Sequence, residues 1–342
     1  MSTEAPITKR DSYWDIVKAI LIFLVVFGHV IQFLMYERNN DEGFWTDPIF
    51  KGIYLFHMPL FMLVSGYFAA KSVAQRSWRA LPRYLQRLAL PCVGMGIVYL
   101  IVALLKHKHL PGSFYTGATM LWFLIVIFEC LVCYLIMQLK QALWWRITMF
   151  LLPIPAALLI QKLPIIHLLF PHLRQFTYLW PIFVLGAYLS AKDFSQKRIS
   201  WKWGFFLLLF ILFFHFFHPT WYVYRQPLAL NITSLLVDLY RTVAAIAGCG
   251  AFLWIIKHLH PYIEKYTFIK KIGQATLALY VLQTFVFMAF SKQTWITPDI
   301  HHHAAAFVVS IIILTLIYIF YLVTRRIPLI SLLLYGEAHF KK

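Results

Sequence analysis

Acidic residues are scarce in this chain. It carries 13 Asp and Glu against 31 Lys and Arg in 342 residues, and charged side chains of either sign make up only 13%. A soluble globular domain runs near a quarter charged and about half apolar. Here the hydrophobic share is 61% and the mean hydropathy is +0.71. That balance excludes an ordinary soluble domain and points to a polytopic membrane protein. Cysteine is sparse too. Cys92, Cys130, Cys133 and Cys249 all fall inside apolar segments, which argues against a disulfide framework, and Cys130 and Cys133, one turn apart in a lipid-facing or packed helix, are not expected to hold zinc. Long loops, internal repeats and low-complexity linkers are missing, so no appended soluble domain is expected. A cleavable leader is not expected either: the first apolar run exceeds a signal-peptide core and lacks an A-x-A-like site.

The net charge of +18 would suggest a nucleic-acid partner in a soluble chain. In a membrane protein it reflects the Lys and Arg that collect in cytoplasmic loops. Membrane lipids are therefore the expected partner, and nucleic acid is not.

A helical span needs about 20 apolar residues. Ten are read along the chain, over residues 12–36, 48–70, 88–105, 118–138, 144–160, 175–191, 202–218, 232–256, 272–291 and 305–324. The fifth is interrupted by Pro153 and Pro155, and the end of the seventh is crowded by His215, His218 and Pro219. One set of connections holds 21 Lys and Arg and the alternate set 8, which places both termini in the cytoplasm. The expectation is an all-α membrane bundle forming one domain over residues 1–342, a multi-pass protein of the bacterial cytoplasmic membrane. His301, His302 and His303 lie in the last outer connection and read as an ordinary solvated loop, because three consecutive residues cannot all face one metal ion.

Within the spans, ionisable groups are costly and by default mark function. Lys18 and His29 share the first span, eleven residues apart, or ~16 Å of helical rise. Depth counting brings His29 and His57 to matching levels in the outer half of the membrane on neighbouring antiparallel helices. His57 has two readings: a catalytic partner, or a side chain satisfying the irregularity at Pro59. Asp15 and Lys18, and Asp238 and Arg241, stand at i and i+3 and are expected to pair. Glu129 and Gln283 add buried polar groups in the fourth and ninth spans. On the inner side, Arg76, Arg79, Arg83 and Arg87 crowd one connection, with Arg79, Arg83 and Arg87 spaced to line one helical face. Guanidinium forks suit phosphate, and topology signalling or anionic lipid suits them as well. Trp45, Trp221, Tyr222 and Trp295 near the outer ends could stack on sugar rings or anchor at the interface.

Several segments together resemble the integral membrane acyltransferase-3 family, especially its fucose 4-O-acetylase-like members. They are Trp14-Asp15-Ile-Val-Lys18 followed by Gly28-His29; Phe56-His57-Met58-Pro59-Leu60-Phe61 with Ser65-Gly66-Tyr67; the arginine-rich stretch to Arg87-Leu-Ala-Leu-Pro91; Leu121-Trp122-Phe123-Leu124; and Ile272-Gly273-Gln274 through Tyr280 to Gln283. Lys18 stands where Arg is commoner, and Gln283 where many relatives have His. The resemblance implies transfer of an acyl group, usually acetyl from cytoplasmic acetyl-CoA as co-substrate, to a hydroxyl of a cell-surface glycan or its lipid-linked precursor, alongside polysaccharide-synthesis machinery. No bound cofactor or metal is expected. His29 is then the general base, with His57, Lys18 and Asp15 in the catalytic group. Arg76, Arg79, Arg83 and Arg87 receive the donor, and Ser65, Tyr67 and Trp122 serve the acceptor or the developing oxyanion. Glu129, Asp238, Arg241 and Gln283 give buried polar support. A transporter or flippase, and a structural partner of a synthase, are the rival readings.

Overall fold

The computed structural model describes residues 11–36, 42–106, 112–197, 199–226, 229, 231–290, 296 and 302–337. Trp295 and His301 lie outside the described residues. Among the described residues every regular element is helical. The principal helices are α1 (Ser12–Val30), α2 (Pro48–Arg76), α3 (Leu90–Leu105), α4 (Ser113–Met120), α5 (Trp122–Met137), α6 (Leu143–Leu151), α7 (Pro153–Ile160), α8 (Leu173–Ala191), α9 (Phe205–Phe216), α10 (Ile232–Ile263), α11 (Thr267–Gln274), α12 (Thr276–Phe290), α13 (His303–Thr324) and α14 (Pro328–Tyr335).

Six helical stretches are long and apolar enough to cross a membrane: Ser12–Tyr36, Pro48–Arg76, Trp78–Leu105, Leu143–Ile160, Ile232–Ile263 and His303–Thr324. Two more arise if each bent pair counts as one span. α4 and α5 meet at 72° across Leu121, and α11 and α12 at 74° across Ala275. All ten expected segments contain helix. α8 carries Arg174 and Gln175 in its first turn and falls outside that set, and the Trp201–Phe216 stretch is short. Among the described residues, length and apolarity alone thus single out six to eight of the ten segments.

Local chemistry starts and stops these helices. The Asp11 side chain accepts from the Tyr13 amide at 3.1 Å to begin α1. Asp47 Oδ1 accepts from the Ile49 and Phe50 amides, both at 2.9 Å, to begin α2, whose first residue is Pro48. Asn231 caps α10 through the Ser234 amide at 2.8 Å. Each cap satisfies amides that the first turn leaves unpaired. Asp47 does more. Its Oδ2 accepts from His303 Nε2 at 2.7 Å and from the Tyr36 hydroxyl at 3.1 Å, tying α1, α2 and α13 together at one face. His303 is buried, so it is a fastening inside the bundle rather than part of a solvated loop.

α1 is the central helix and packs against α2, α10, α11, α12 and α13. α2 and α8 run side by side in their closest backbone approach. A Cβ on Gly66 would lie 2.0 Å from the Phe183 carbonyl oxygen, and one on Gly186 1.9 Å from that of Leu63. Small residues at such crossings let two backbones meet in a membrane. The α6–α7 stretch sits at the periphery, with only 6% of it buried.

The arginine-rich segment departs from a single regular helix. Residues Ser77–Ala80 form a tight turn and Leu85–Ala89 a widened one, before α3 begins. Pro82 and Pro91 each lack an amide and crowd the carbonyl four residues back; for Pro91 that is Arg87, inside the widened turn. Arg79, Arg83 and Arg87 thus stand in three turns of different pitch.

Candidate active site

Two of the expected catalytic residues come together. His29 ends the regular part of α1, immediately before a widened turn over Ile31–Tyr36; such turns recur at functional positions. His57 sits in mid-α2. Tyr54 joins them. Its ring lies 4.7 Å from the His57 ring, and it presses on Gly28, where a Cβ would come within 2.8 Å of Tyr54 Cε2.

Their hydrogen bonds set their tautomers. His29 Nδ1 donates to Gln283 Oε1 at 2.6 Å, and His57 Nδ1 donates to the Ile53 carbonyl at 2.8 Å. A neutral imidazole with Nδ1 protonated keeps its lone pair on Nε2. Phe33 and Phe287 flank His29 at 5.6 and 5.3 Å between ring centroids, and the residue stays half-exposed. The geometry therefore presents one oriented nitrogen base in an apolar setting. Gln283 itself has no proton to exchange, yet it is buried and holds the base in place. Gln283→Leu is expected to lower turnover at least about tenfold, because a catalytic imidazole in the wrong tautomer is disabled. Gln283→Glu, which keeps an acceptor oxygen, should retain most activity. Equal rates for the Leu variant and wild type in single-turnover assays would refute the positioning role.

A second feature is a cavity of about 1400 Å³ opening toward the face where α1 begins. Lys18, Lys71, Arg87, Lys271 and Arg325 line it, with Asp15, Ser65 and Gln274. Lys18 pairs with Asp15 at 2.8 Å, and Gln274 Nε2 donates to Asp15 Oδ2 at 3.1 Å. Its far end is closed by Phe61, Phe123 and Tyr280. Tyr280 precedes Gln283 by one turn of α12, so the cavity stops one turn short of the histidine pair.

On the other side of that closure lies a small cavity of about 20 Å³, lined by Tyr54, Met58, Pro59, Trp122, Tyr222, Tyr224 and Arg241 among others. Adjacent residues divide between the two spaces: Trp122 faces the small one and Phe123 the large one. A wall about one side chain thick separates them, at the bend between α4 and α5.

The remaining expected residues distribute as follows. Of the four arginines Arg87 lines the large cavity, while Arg76, Arg79 and Arg83 are exposed and not among its lining residues. Lys71, Lys271 and Arg325, all among the Lys and Arg counted on the inner side, line it as well. Ser65 lines the cavity, but its hydroxyl donates to the Phe61 carbonyl at 2.8 Å. Tyr67 is fully buried near the start of α1, packed on Trp14 at 4.5 Å and hydrogen-bonded to Ser195 at 3.2 Å, which removes it from the histidines. Glu129 has two buried carboxyl oxygens without a hydrogen-bond partner among the described residues. Asp238 pairs with Arg241 as expected, and also with Arg174 through a two-pronged contact at 2.8 and 2.9 Å. Arg174 had given no signal in the sequence, since its partner is 64 positions away. The Trp45 and Tyr222 rings meet at 4.7 Å, tilted by 44°, beside the small cavity.

Comparison with known proteins adds three findings. A family model described as an acyltransferase domain matches residues 11–323. The nodulation protein NolL of Mesorhizobium japonicum is 26% identical over 307 residues, covering 84% of this chain and 79% of that protein. NolL of Sinorhizobium fredii is 48% identical over 77 residues, 22% of this chain and 20% of that one. No solved structure matches. With the family model spanning nearly all of its helices, and the paired histidines beside a cation-lined cavity, this chain belongs to the acyltransferase-3 family and is a membrane O-acyltransferase.

Proposed function

We propose that the protein transfers an acetyl or other short acyl group from cytoplasmic acyl-CoA to a hydroxyl of a cell-surface glycan or its lipid-linked precursor. The observation that carries this reading is the large cavity. Five cations line it against three carboxylates, Asp11, Asp15 and Glu337, and its lining reaches Tyr280, one helical turn from the His29–Gln283 pair. Its volume exceeds the ~300–1,000 Å³ of ordinary small-molecule pockets, which suits a donor with a nucleotide head and a long pantetheine arm. Phosphates sit among Arg87, Lys271, Lys71 and Arg325; the arm runs along Lys18 and Ser65; the thioester arrives at Phe123 and Tyr280.

In the proposed step, His29 Nε2 takes the proton of the acceptor hydroxyl as its oxygen attacks the thioester carbonyl. The tetrahedral intermediate collapses, the C–S bond breaks, and CoA leaves as thiolate. The proton on His29 then passes to that sulfur, returning the neutral base. His57 orients the acceptor. Placing the donor on the face where α1 begins agrees with the bias of Lys and Arg toward that side. A bacterial cytoplasmic membrane is the setting this reading requires.

The test is acetyl-CoA binding and slow thioester hydrolysis by purified protein in nanodiscs. The Arg87→Ala/Lys271→Ala double variant should bind acetyl-CoA at least about tenfold more weakly, as charge-assisted phosphate contacts contribute over a kcal/mol each. Arg79→Ala and Arg83→Ala should change little. If folded wild type binds no short acyl-CoA at millimolar concentration, the donor reading fails and a carrier becomes the leading idea.

A further inference from the structure

We propose that the small cavity bounded by Trp122, Tyr222 and Arg241 is a socket for one hydroxyl of the acceptor sugar ring, and so determines which sugars are accepted. This rests on the O-acyltransfer reading above and deepens it.

Size is the first argument. About 20 Å³ holds a single water-sized oxygen and nothing larger. Donors are the second. Two side chains lining the cavity have buried polar atoms with no partner among the described residues: Arg241 Nε and the Tyr222 hydroxyl. Both residues are 97% buried, at 3% relative exposure. A buried donor left unpaired costs about 1–3 kcal/mol, so an oxygen arriving between them is rewarded. Burial, with Tyr54 and Asp47 nearby, holds the Tyr222 phenol far above its ordinary range, so it remains a donor.

Charge is the third argument. Arg174 and Arg241 share the single carboxylate of Asp238, which leaves one positive charge in excess. Arg241 is fixed further by the Trp221 carbonyl at 3.1 Å and by the Tyr178 ring at 4.7 Å. It is a rigid donor, selective for oxygen lone pairs and against cations. The walls are aromatic: Trp122 and Tyr224 lie 5.7 Å apart, and Tyr224 and Tyr54 6.4 Å apart. Tyr54 also touches His57, so a ring anchored by one hydroxyl here turns another toward the histidines.

A site that hydrogen-bonds one hydroxyl rejects analogues lacking it more strongly than an apolar pocket rejects extra bulk. The probes are a panel of methyl glycopyranosides and their monodeoxy analogues, with wild type and Tyr222→Phe in nanodiscs. Tyr222→Phe removes a single oxygen and leaves the ion cluster intact. Saturation-transfer NMR measures binding without donor, and acetyl transfer and acetyl-CoA hydrolysis are followed in parallel. The expected result is a glycoside that wild type binds at millimolar concentration or better and Tyr222→Phe binds at least tenfold more weakly, with unchanged acetyl-CoA hydrolysis and less discrimination against one deoxy analogue. If both proteins bind the glycoside equally, or wild type binds none of the panel, the socket holds only a trapped water and the proposal is overturned. Tyr222-dependent sugar binding in a protein that never binds or hydrolyses acetyl-CoA would instead overturn the donor reading and leave the socket standing.

Discussion

Replacing His29 by alanine is expected to lower acyl transfer by about 10²–10⁴-fold, the range that general-base catalysis contributes, while acetyl-CoA binds as it does to wild type. The separation follows from the geometry. His29 does not line the large cavity, which closes at Phe61, Phe123 and Tyr280, so removing the imidazole leaves the donor's contacts intact. What is lost is the side chain whose basic nitrogen is oriented by the buried Gln283 amide, at 2.6 Å. His29→Gln, which fills more of the space between Phe33 and Phe287, controls for packing. Both variants should show normal donor affinity by calorimetry with turnover near background. If either transfers acetyl at more than a tenth of the wild-type rate, the base lies elsewhere, and His57 is the next residue to examine.

The second large effect is on folding. Gly66→Leu or Gly186→Leu is expected to abolish recovery of folded protein. At both sites even a methyl group would have to occupy the position of a carbonyl oxygen on the neighbouring helix. α2 carries His57 and lines both cavities, while α8 holds Arg174 and Tyr178. Close-packed interiors cannot absorb such a bulk without moving whole helices. Detergent-solubilised variants should elute as aggregate, or unfold well below wild type in a thermal scan. A monodisperse Gly66→Leu protein with an unchanged melting temperature would refute the close α2–α8 crossing.

Much of the architecture was legible because the bilayer imposes it. Apolar runs of about span length announce helices, and every expected segment contains one. The pairs Asp15–Lys18 and Asp238–Arg241 were legible for a different reason: i and i+3 share a helix face whatever surrounds them. Depth counting brought His29 and His57 to one level because consecutive helices joined by a short connection tend to be neighbours. The rest depends on contacts between distant parts of the chain. Gln283 meets His29 across 254 positions and Arg174 meets Asp238 across 64; no local periodicity reports either. The arginine stretch shows the limit of spacing rules: Ser77–Ala80 and Leu85–Ala89 wind with a different pitch from the four-residue helix between them, and of the four arginines Arg87 lines the large cavity. The bends at Leu121 and Ala275 carry no proline or glycine at the break itself, so nothing in the local sequence marks them.

The layer of side chains between the two cavities has a consequence for the membrane as an electrical barrier. Met58 and Pro59 face one space and Phe61 the other, as do Trp122 and Phe123. On the proposed reading, an acyl group made on one side reaches a hydroxyl on the other without any continuous file of water. A packed layer of this kind stands across the path that protons and small ions would take. The thioester bond alone drives the reaction, and a cell can hold many copies in its membrane without short-circuiting it.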